Sequence, residues 1–476
     1  MMYRSRIHAW AAALMIGASS ALPAQSTLSF RAERPSGRGG EESPSSRERG
    51  PSAAGRSPAD FWSALGDTTL TRLVGEALRG NQNIEAASAR VSGARAARTS
   101  SLLDLTPAVT AVGGYSRQRL ASGTVPGSPS GLRLPEQEVW DAGLRMSWDV
   151  DVFGRLRNAA QARGALVAAS DEDLADVRVR LAAEVAGTYF DLRGAEHRLG
   201  VARRNAENQR ATLDVTQQRL DAGRGTALDV DRAQTQLSTT LAAIPALEAQ
   251  VEEAQQRLIV LTGKPPAAGA VDISAVATPL ALPDSVAAGR ADSVALRRPD
   301  VRSAEEQVDA SAAQVRSARA EYLPRLAIAG GAGYTSSSFD ALGETGTPRY
   351  TIGPVLSWPA FDIGRVRANT DAARAVQAEA KARYRQAVLE SMEEVERSRI
   401  RYRKSRERLA HLEDAAAASE RAAELARLRF TEGASDFLPV LDAERTMLEA
   451  QDRLAVGRTE AAAALVAVYR ATGGGR

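Results

Sequence analysis

The side chains that most often carry chemistry are few in this sequence and do not converge. The absence of Cys removes disulfides, thiolate metal ligands and an acylated N-terminal Cys together. The three histidines, His8, His197 and His411, are scattered, and the six Met are unclustered, a poor basis for a metal site or for metal-ion export. No nucleophile motif, phosphate-cradling loop or zinc spacing occurs. Neither an enzyme nor a cofactor is therefore expected. What remains is charge: Asp442 and Arg445 stand three residues apart, Asp229, Asp231 and Arg232 lie close together, and Glu184 and Glu394 are lone acids. Such groups cap a helix or form surface pairs worth about 0.2–0.5 kcal/mol. They do more only if symmetry gathers copies of them around a pore, where a ring of carboxylates favours cations.

The elements that would do this gathering must be long. Of the 476 residues, 44% are hydrophobic and only 5% aromatic, with abundant Ala, a mixture that suits long helices with narrow apolar seams. Arg4 and Arg6, a short apolar run and small residues near Ala21 and Ala24 predict a cleavable signal peptide over residues 1–24. No later run approaches about 20 apolar residues, so a membrane would have to be crossed by strands. The chain's 61 Lys and Arg, less Arg4 and Arg6, leave 59 bases against 58 acids, which gives no reason to expect nucleic acid. Residues 25–58, rich in Pro, Gly, Ser and charge without apolar periodicity, read as a flexible leader.

The rest of the chain is written twice. WDVDVFGRLR from Trp148 returns as WPAFDIGRVR from Trp358, 210 residues later, and RLDAGRGTALDVDRAQ from Arg219 aligns with RFTEGASDFLPVLDAE from Arg429 at the same offset. Upstream, NIEAASARV from Asn83 matches DVRSAEEQV from Asp300 at an offset of 217, so the first copy gains seven residues between Pro107 and Trp148. The copies are residues 59–263 and 285–476, joined by a Pro- and Ala-rich linker, 264–284. Apolar or small residues step by three and four from Leu174 to Leu220, and recur every seven residues from Val388 to Phe430, the coiled-coil period. With no Pro from Arg155 to Leu220, this predicts a helix on the order of 100 Å long. Gly223 and Gly433 end the rods, and Thr226 with Asp229 suits a capping box for the first returning helix. Helical hairpins are thus expected over about 155–262 and 365–471.

At the other end, residues 107–151 and 324–358 lack the heptad and read as two β-hairpins. Trp148, Gly154 and Arg155, and in the second copy Trp358, Gly364 and Arg365, mark where strand passes to rod: Trp near a membrane interface, Gly for the turn, Arg opening the helix. Two buried Trp in ordinary packed domains would be the plainer reading, but it leaves the rods unexplained. Two hairpins give four strands, whereas a bilayer tolerates no open sheet edge and bacterial barrels begin at about eight strands. Three chains would supply twelve, so a symmetric trimer is the expected closure.

Taken together, DFWSALGDTTLTRLVGEALRGNQNIEAASARV, WDVDVFGRLRNA, LRRPDVRSAEEQV, YLPRL, WPAFDIGRVRA and GASDFLPVLDAERTMLEAQ resemble the TolC-type outer membrane factors, in the NodT-like branch of tripartite multidrug efflux systems. The resemblance covers nearly all of the chain after about Ala59. It implies a mainly α fold with transmembrane β: coiled-coil helical hairpins forming an α-barrel, and two β-hairpins per chain in a trimeric twelve-stranded barrel. It also implies a homotrimer set in outer-membrane lipid with a long periplasmic extension, a periplasmic adaptor (membrane fusion) protein and an inner-membrane transporter of the RND type. The implied activity is a passive exit duct for drugs or other small toxic molecules. A duct for type I protein secretion and a secreted coiled-coil scaffold are the alternatives. Many members of the branch carry a lipidated Cys after the signal; here anchoring would rest on the barrel. The resemblance places a periplasmic constriction at Leu438, Asp442 and Arg445. Arg232 is the counterpart of Asp442 at the 210-residue offset, which suggests a latch between hairpins. Asp229 and Asp231 either add charge to that aperture or serve as a helix cap and a surface acid. Gly223 and Gly433 are candidate adaptor contacts or simple C-caps.

Overall fold

The structure, a computed structural model, describes residues 58–63, 65–119, 135–266, 282–283 and 290–474, all within the unit Gly55–Arg476. The expected signal peptide, the leader before Pro58 and most of the linker lie outside the described residues. The first copy comprises α1 (Pro58–Ser63), α2 (Thr68–Gly80), α3 (Gln82–Leu103), β1 (Ala108–Gln118), β2 (Gln137–Val150), α4 (Arg155–Asp221) and α5 (Ala227–Leu261). The second comprises α6 (Ala291–Ala295), α7 (Pro299–Ala320), β3 (Arg325–Ser336), β4 (Pro348–Ser357), α8 (Ile363–Thr431) and α9 (Phe437–Ala471).

The heptads become two rods: α4 has 67 residues and α8 has 69, each about 100 Å at 1.5 Å per residue. Val185, Leu192, Leu199 and Ala206 of α4, and Val395, Tyr402, Leu409, Ala416, Ala423 and Phe430 of α8, are all buried at intervals of seven, forming the seams on which α5 and α9 fold back. The thickest core lies partway along the rods. There α1 and α2 lay Trp62, Leu70, Leu73 and Val74 against Val179–Leu192 of α4 and against Tyr469 of α9. Trp62 is completely buried, its ring 4.6 Å from that of Tyr469, and Tyr189 donates its hydroxyl proton to Asp67 at 2.7 Å. No helix among the described residues is long and apolar enough to cross a membrane.

The four strands form one antiparallel sheet in the order β1-β2-β3-β4, with β1 and β4 as open edges. Its registers retain the duplication. The β1–β2 pair Ala108↔Ser147 maps at the 217 and 210 offsets onto the β3–β4 pair Arg325↔Ser357. The seven added residues therefore fall between Gln118 and Gln137. At the loop end, Tyr115, Trp140 and Phe339 form an aromatic cluster with ring separations of 4.5 and 5.3 Å. The apolar side chains of Tyr350, Ile352 and Leu356 alternate along β4 and are 85, 68 and 69% exposed, an outward band of the kind that faces lipid.

Candidate functional site

Each strand-to-rod junction is tied by its Trp. The Trp148 indole N–H donates to the Leu105 carbonyl at 2.9 Å, and that of Trp358 to the Tyr322 carbonyl at 3.1 Å. Leu105 and Tyr322 are themselves counterparts at the 217 offset, so the repeated Trp clamps the end of each β-hairpin to its beginning. Gly154 then makes the first turn at φ 79°, a left-handed conformation that favours glycine. Asp151 follows the logic of a helix cap, accepting from the backbone N–H groups of Leu156 and Arg157 at 3.1 and 2.8 Å, while Arg155 pairs with Asp149 at 2.9 Å. Burial pushes the Asp151 carboxyl up, but the bonds from the Arg157 and Leu156 backbone and the Arg157 guanidinium outweigh it and hold the group below the usual carboxylate range.

The second junction corrects an expectation. Gly364 is not the turn residue; it lies inside the first turn of α8, which begins at Ile363, two residues before Arg365. The turn is made by Pro359–Asp362, through bonds from Ala360 N to Trp358 O and from Asp362 N to Pro359 O. A proline with its preset φ does here what Gly154 does in the first copy. Arg365 pairs with Asp362 at 2.8 Å.

A collar that sequence reading missed ties the helical hairpins to the elements before them. Asn81, the N-cap of α3, donates to the Leu261 carbonyl at the end of α5 (2.9 Å). Its counterpart Arg298 donates to the Ala471 carbonyl at the end of α9 (3.2 Å) and pairs with Asp300 at 2.7 Å and Glu394 at 2.8 Å. Arg470 also holds Glu394, at 2.8 Å. Burial raises the Glu394 carboxyl, yet bonds from Arg298 and Arg470 prevail and keep it below its ordinary range. Lone in sequence, Glu394 is the centre of an interhelical network. The alignment of NQNIEAASARV with RPDVRSAEEQV was the available signal, since it sets Asn81 against Arg298.

At the far ends of the rods, both α4 and α8 stop in Schellman motifs. Gly223 and Gly433 take φ 67° and 75°, and Arg224 N and Ala434 N donate back to Arg219 O and Arg429 O at 2.8 Å. Arg219 joins the two tips: its guanidinium lies 4.3 Å from the centre of the Phe430 ring and donates to the Phe430 carbonyl at 3.0 Å. Leu438 is 57% exposed in the first turn of α9, and Asp442 and Arg445 are exposed beside it. Arg445 pairs with Glu449 at 3.4 Å rather than with Asp442. Among the described residues Asp442 has no ion pair, and none joins it to the half-buried Arg232 within one chain. Thr226 is the N-cap of α5: its hydroxyl accepts from the Asp229 N–H at 3.2 Å and donates to the Asp229 carboxylate at 2.7 Å. Asp231 is exposed. Two residues from Asp442, Glu444 is 3% exposed and held by Arg427 at 2.7 Å and the Thr212 hydroxyl at 3.0 Å. This buried acid, bridging α9, α8 and α4, had no signature in the sequence.

The chain thus presents an open-edged sheet with an exposed apolar band on β4, paired rods and, among the described residues, an acid without an ion pair near the rod tips. The profile of the family described as outer membrane efflux protein matches residues 73–264 and 291–474. The sequence is 32% identical over 428 residues to the pyoverdine export outer membrane protein OpmQ of Pseudomonas aeruginosa, covering 89% of this chain and 90% of that one. It is 30% identical to the outer membrane protein OprJ of the same organism, covering 87% and 86%. Among solved structures, the outer-membrane channel OprN superposes with a TM-score of 0.78 at 37% identity, covering 87% of this chain and 92% of that chain.

Proposed function

Because the chain belongs to the outer membrane efflux protein family, as an outer-membrane exit duct working with a periplasmic adaptor and an inner-membrane transporter, we propose that three copies close one tube narrowed at its periplasmic tips by Leu438, Asp442 and Arg445. Conduction is passive, the energy comes from the partners, and the cargo is small molecules; OpmQ is named for pyoverdine export. Residues 1–24 serve as a cleaved signal peptide, and the barrel holds the mature protein in the outer membrane. Gly223 and Gly433, free of side chains at the exposed tips, are where the adaptor approaches.

The observation that carries this reading is the sheet with two open edges. Unpaired backbone groups cannot remain in hydrocarbon, and the β4 edge strand bears an exposed apolar band. The mass of the protein particle extracted by detergent from outer membranes tests the closure: three processed chains are expected, and a soluble periplasmic dimer would overturn it.

The gate has its own test. Among the described residues Asp442 has no ion-pair partner, so in a ring its carboxylates face one another or meet charges of other chains. Asp442→Ala is expected to raise single-channel conductance and weaken cation selectivity. If both stay as in the parent protein, the constriction is elsewhere.

A further inference from the structure

The sheet sorts its side chains by face. Through the strand registers, the apolar band of Tyr350, Ile352 and Leu356 shares its side with Leu144 and Trp148 of β2 and Ile328 of β3. Residues on the opposite side are mostly small. There the row through the middle of the sheet reads Thr110, Arg145, Gly331 and Thr351, with Gly143 and Gly333 next to it. A Cβ added at Gly143 would lie 2.6 Å from the Ala332 carbonyl, and one at Gly333 would strike the Ala142 carbonyl, so the wall beside Arg145 stays bare. Arg145 is exposed and, among the described residues, makes no hydrogen bond and no ion pair.

The strands hold few acids that could neutralise it. Those of β1, β3 and β4 number none, and β2 carries Glu138, Asp141 and Asp149. Glu138 alternates onto the apolar side. Asp141 accepts from Arg349 Nε at 2.9 Å and from the Thr335 hydroxyl at 2.8 Å, and Asp149 is paired with Arg155 at 2.9 Å. Each stands four residues from Arg145, about 14 Å along the strand. The other bases of the strands are answered too, Arg117 by Glu136 at 2.8 Å and Arg325 by Glu321 at 3.5 Å. A second copy brings no acid either, because the strands that meet between copies are β4 and β1.

We infer that three Arg145 side chains form a cationic ring in the middle of the barrel lumen, a binding site for outgoing small molecules that carry several carboxylates. The inference rests on the trimeric closure proposed above. Twelve strands about 4.8 Å apart and tilted by about 40° enclose a lumen roughly 24 Å wide between backbones. Guanidinium groups reaching inward from that wall come within roughly one Debye length of a molecule on the axis. Arg145 stands between Trp140 near the loop end and Trp148 at the rod junction, so the ring lies at the depth of hydrocarbon, where a wall of low dielectric focuses the field into the lumen. Each guanidinium offers a carboxylate two parallel N–H donors, and Thr110 and Thr351 add hydroxyls in the same row. A tricarboxylate can engage all three arginines at once; a univalent anion engages one. Arginine rings favour anions, so the barrel and the Asp442 aperture act on opposite charges at opposite ends of the duct.

Citrate is the probe. Each extracted particle is weighed and recorded in potassium chloride across a planar bilayer, with citrate added at the barrel mouth. The parent should show a block that deepens at the polarity drawing citrate inward, while acetate at the same concentration gives none. Arg145→Gln should raise the half-blocking concentration of citrate by about tenfold or more, the effect of losing a charge-assisted hydrogen bond. Arg145→Lys, which keeps the charge without the fork, should fall between the two, and block as tight as in the parent would overturn the part assigned to the guanidinium. Asp442→Ala should leave the half-blocking concentration unchanged; loss of block in that variant moves the site to the tips and overturns the ring. A three-chain particle that citrate does not block, or that citrate blocks equally after Arg145→Gln, overturns the ring and leaves the duct standing. A particle of another mass overturns the closure beneath both.

Discussion

Trp148 and Trp358 show what a repeated motif reveals and what it withholds. That each ends a strand was legible from its place before the rods. The carbonyl each indole reaches, 43 and 36 residues upstream, was not. Replacing the half-buried Trp148 by Phe strands the Leu105 carbonyl and is expected to cost about 1 kcal/mol, with a smaller loss for Trp358→Phe, whose indole is 56% exposed. Denaturant titration of the extracted particle distinguishes them, and equal losses would remove the clamp as the explanation. Gly364 shows the reverse error: identity of position in the alignment promised a turn, but Pro359 had already made it. The carboxyl of Asp151 sets a pH test. Its folded-state pKa is depressed, so its contribution is fully present above the unfolded Asp value of about 3.9 and is lost as pH falls through the folded value. Asp151→Asn should therefore be less stable than the parent at neutral pH and converge with it in acid below about pH 4. A gap that stays constant down the acid limb would deny the carboxylate its role.

The elements were more legible than their fastenings. Heptads alone placed the rods, because burial at every seventh residue needs only apolar side chains, which a sequence displays. The joints between rods rest on polar groups whose partners lie far off in the chain, such as Arg198 with Asp452 or Arg298 with Glu394, and spacing on one helix says nothing of the other. At the collar the two copies use different chemistry. Asn81 caps α5 as a neutral amide, whereas Arg298, with its side chain only 10% exposed, holds two carboxylates and the end of α9. Arg298→Ala leaves Glu394 half-buried with Arg470 alone and is expected to destabilise the second hairpin by about 3 kcal/mol. Asn81→Ala should cost nearer 1 kcal/mol. Amide hydrogen exchange near the ends of α5 and α9 measures both, and a loss no larger at α9 than at α5 would show that the ion network adds nothing to the cap.

At the scale of the whole molecule, the duplication predicts a contact that one chain cannot display. Strands β2 and β3 come from different copies of the repeat and pair with Arg145 opposite Gly331. The same pairing carried forward by one copy joins β4 to β1 of the next chain, and the 210 and 217 offsets place Val355 opposite Gly114. The β1–β2 and β3–β4 registers already agree at these offsets, so the translation holds where it can be checked. Gly114 can accept a side chain, since an added Cβ would meet nothing within 4 Å in its own chain. Cross-strand neighbours have Cβ atoms about 4.5–5.5 Å apart, near enough for a disulfide with slight adjustment. Gly114→Cys with Val355→Cys should thus oxidise to a ladder of one, two and three chains on a non-reducing gel, while Val112→Cys or Ser116→Cys in place of Gly114→Cys should link poorly. If a displaced pair links best, the barrel still closes but in a slipped register, and the seven residues added between Gln118 and Gln137 would have shifted β1 at the seam. If no pair links, β1 and β4 do not meet, and closure of the sheet must be sought in another strand order.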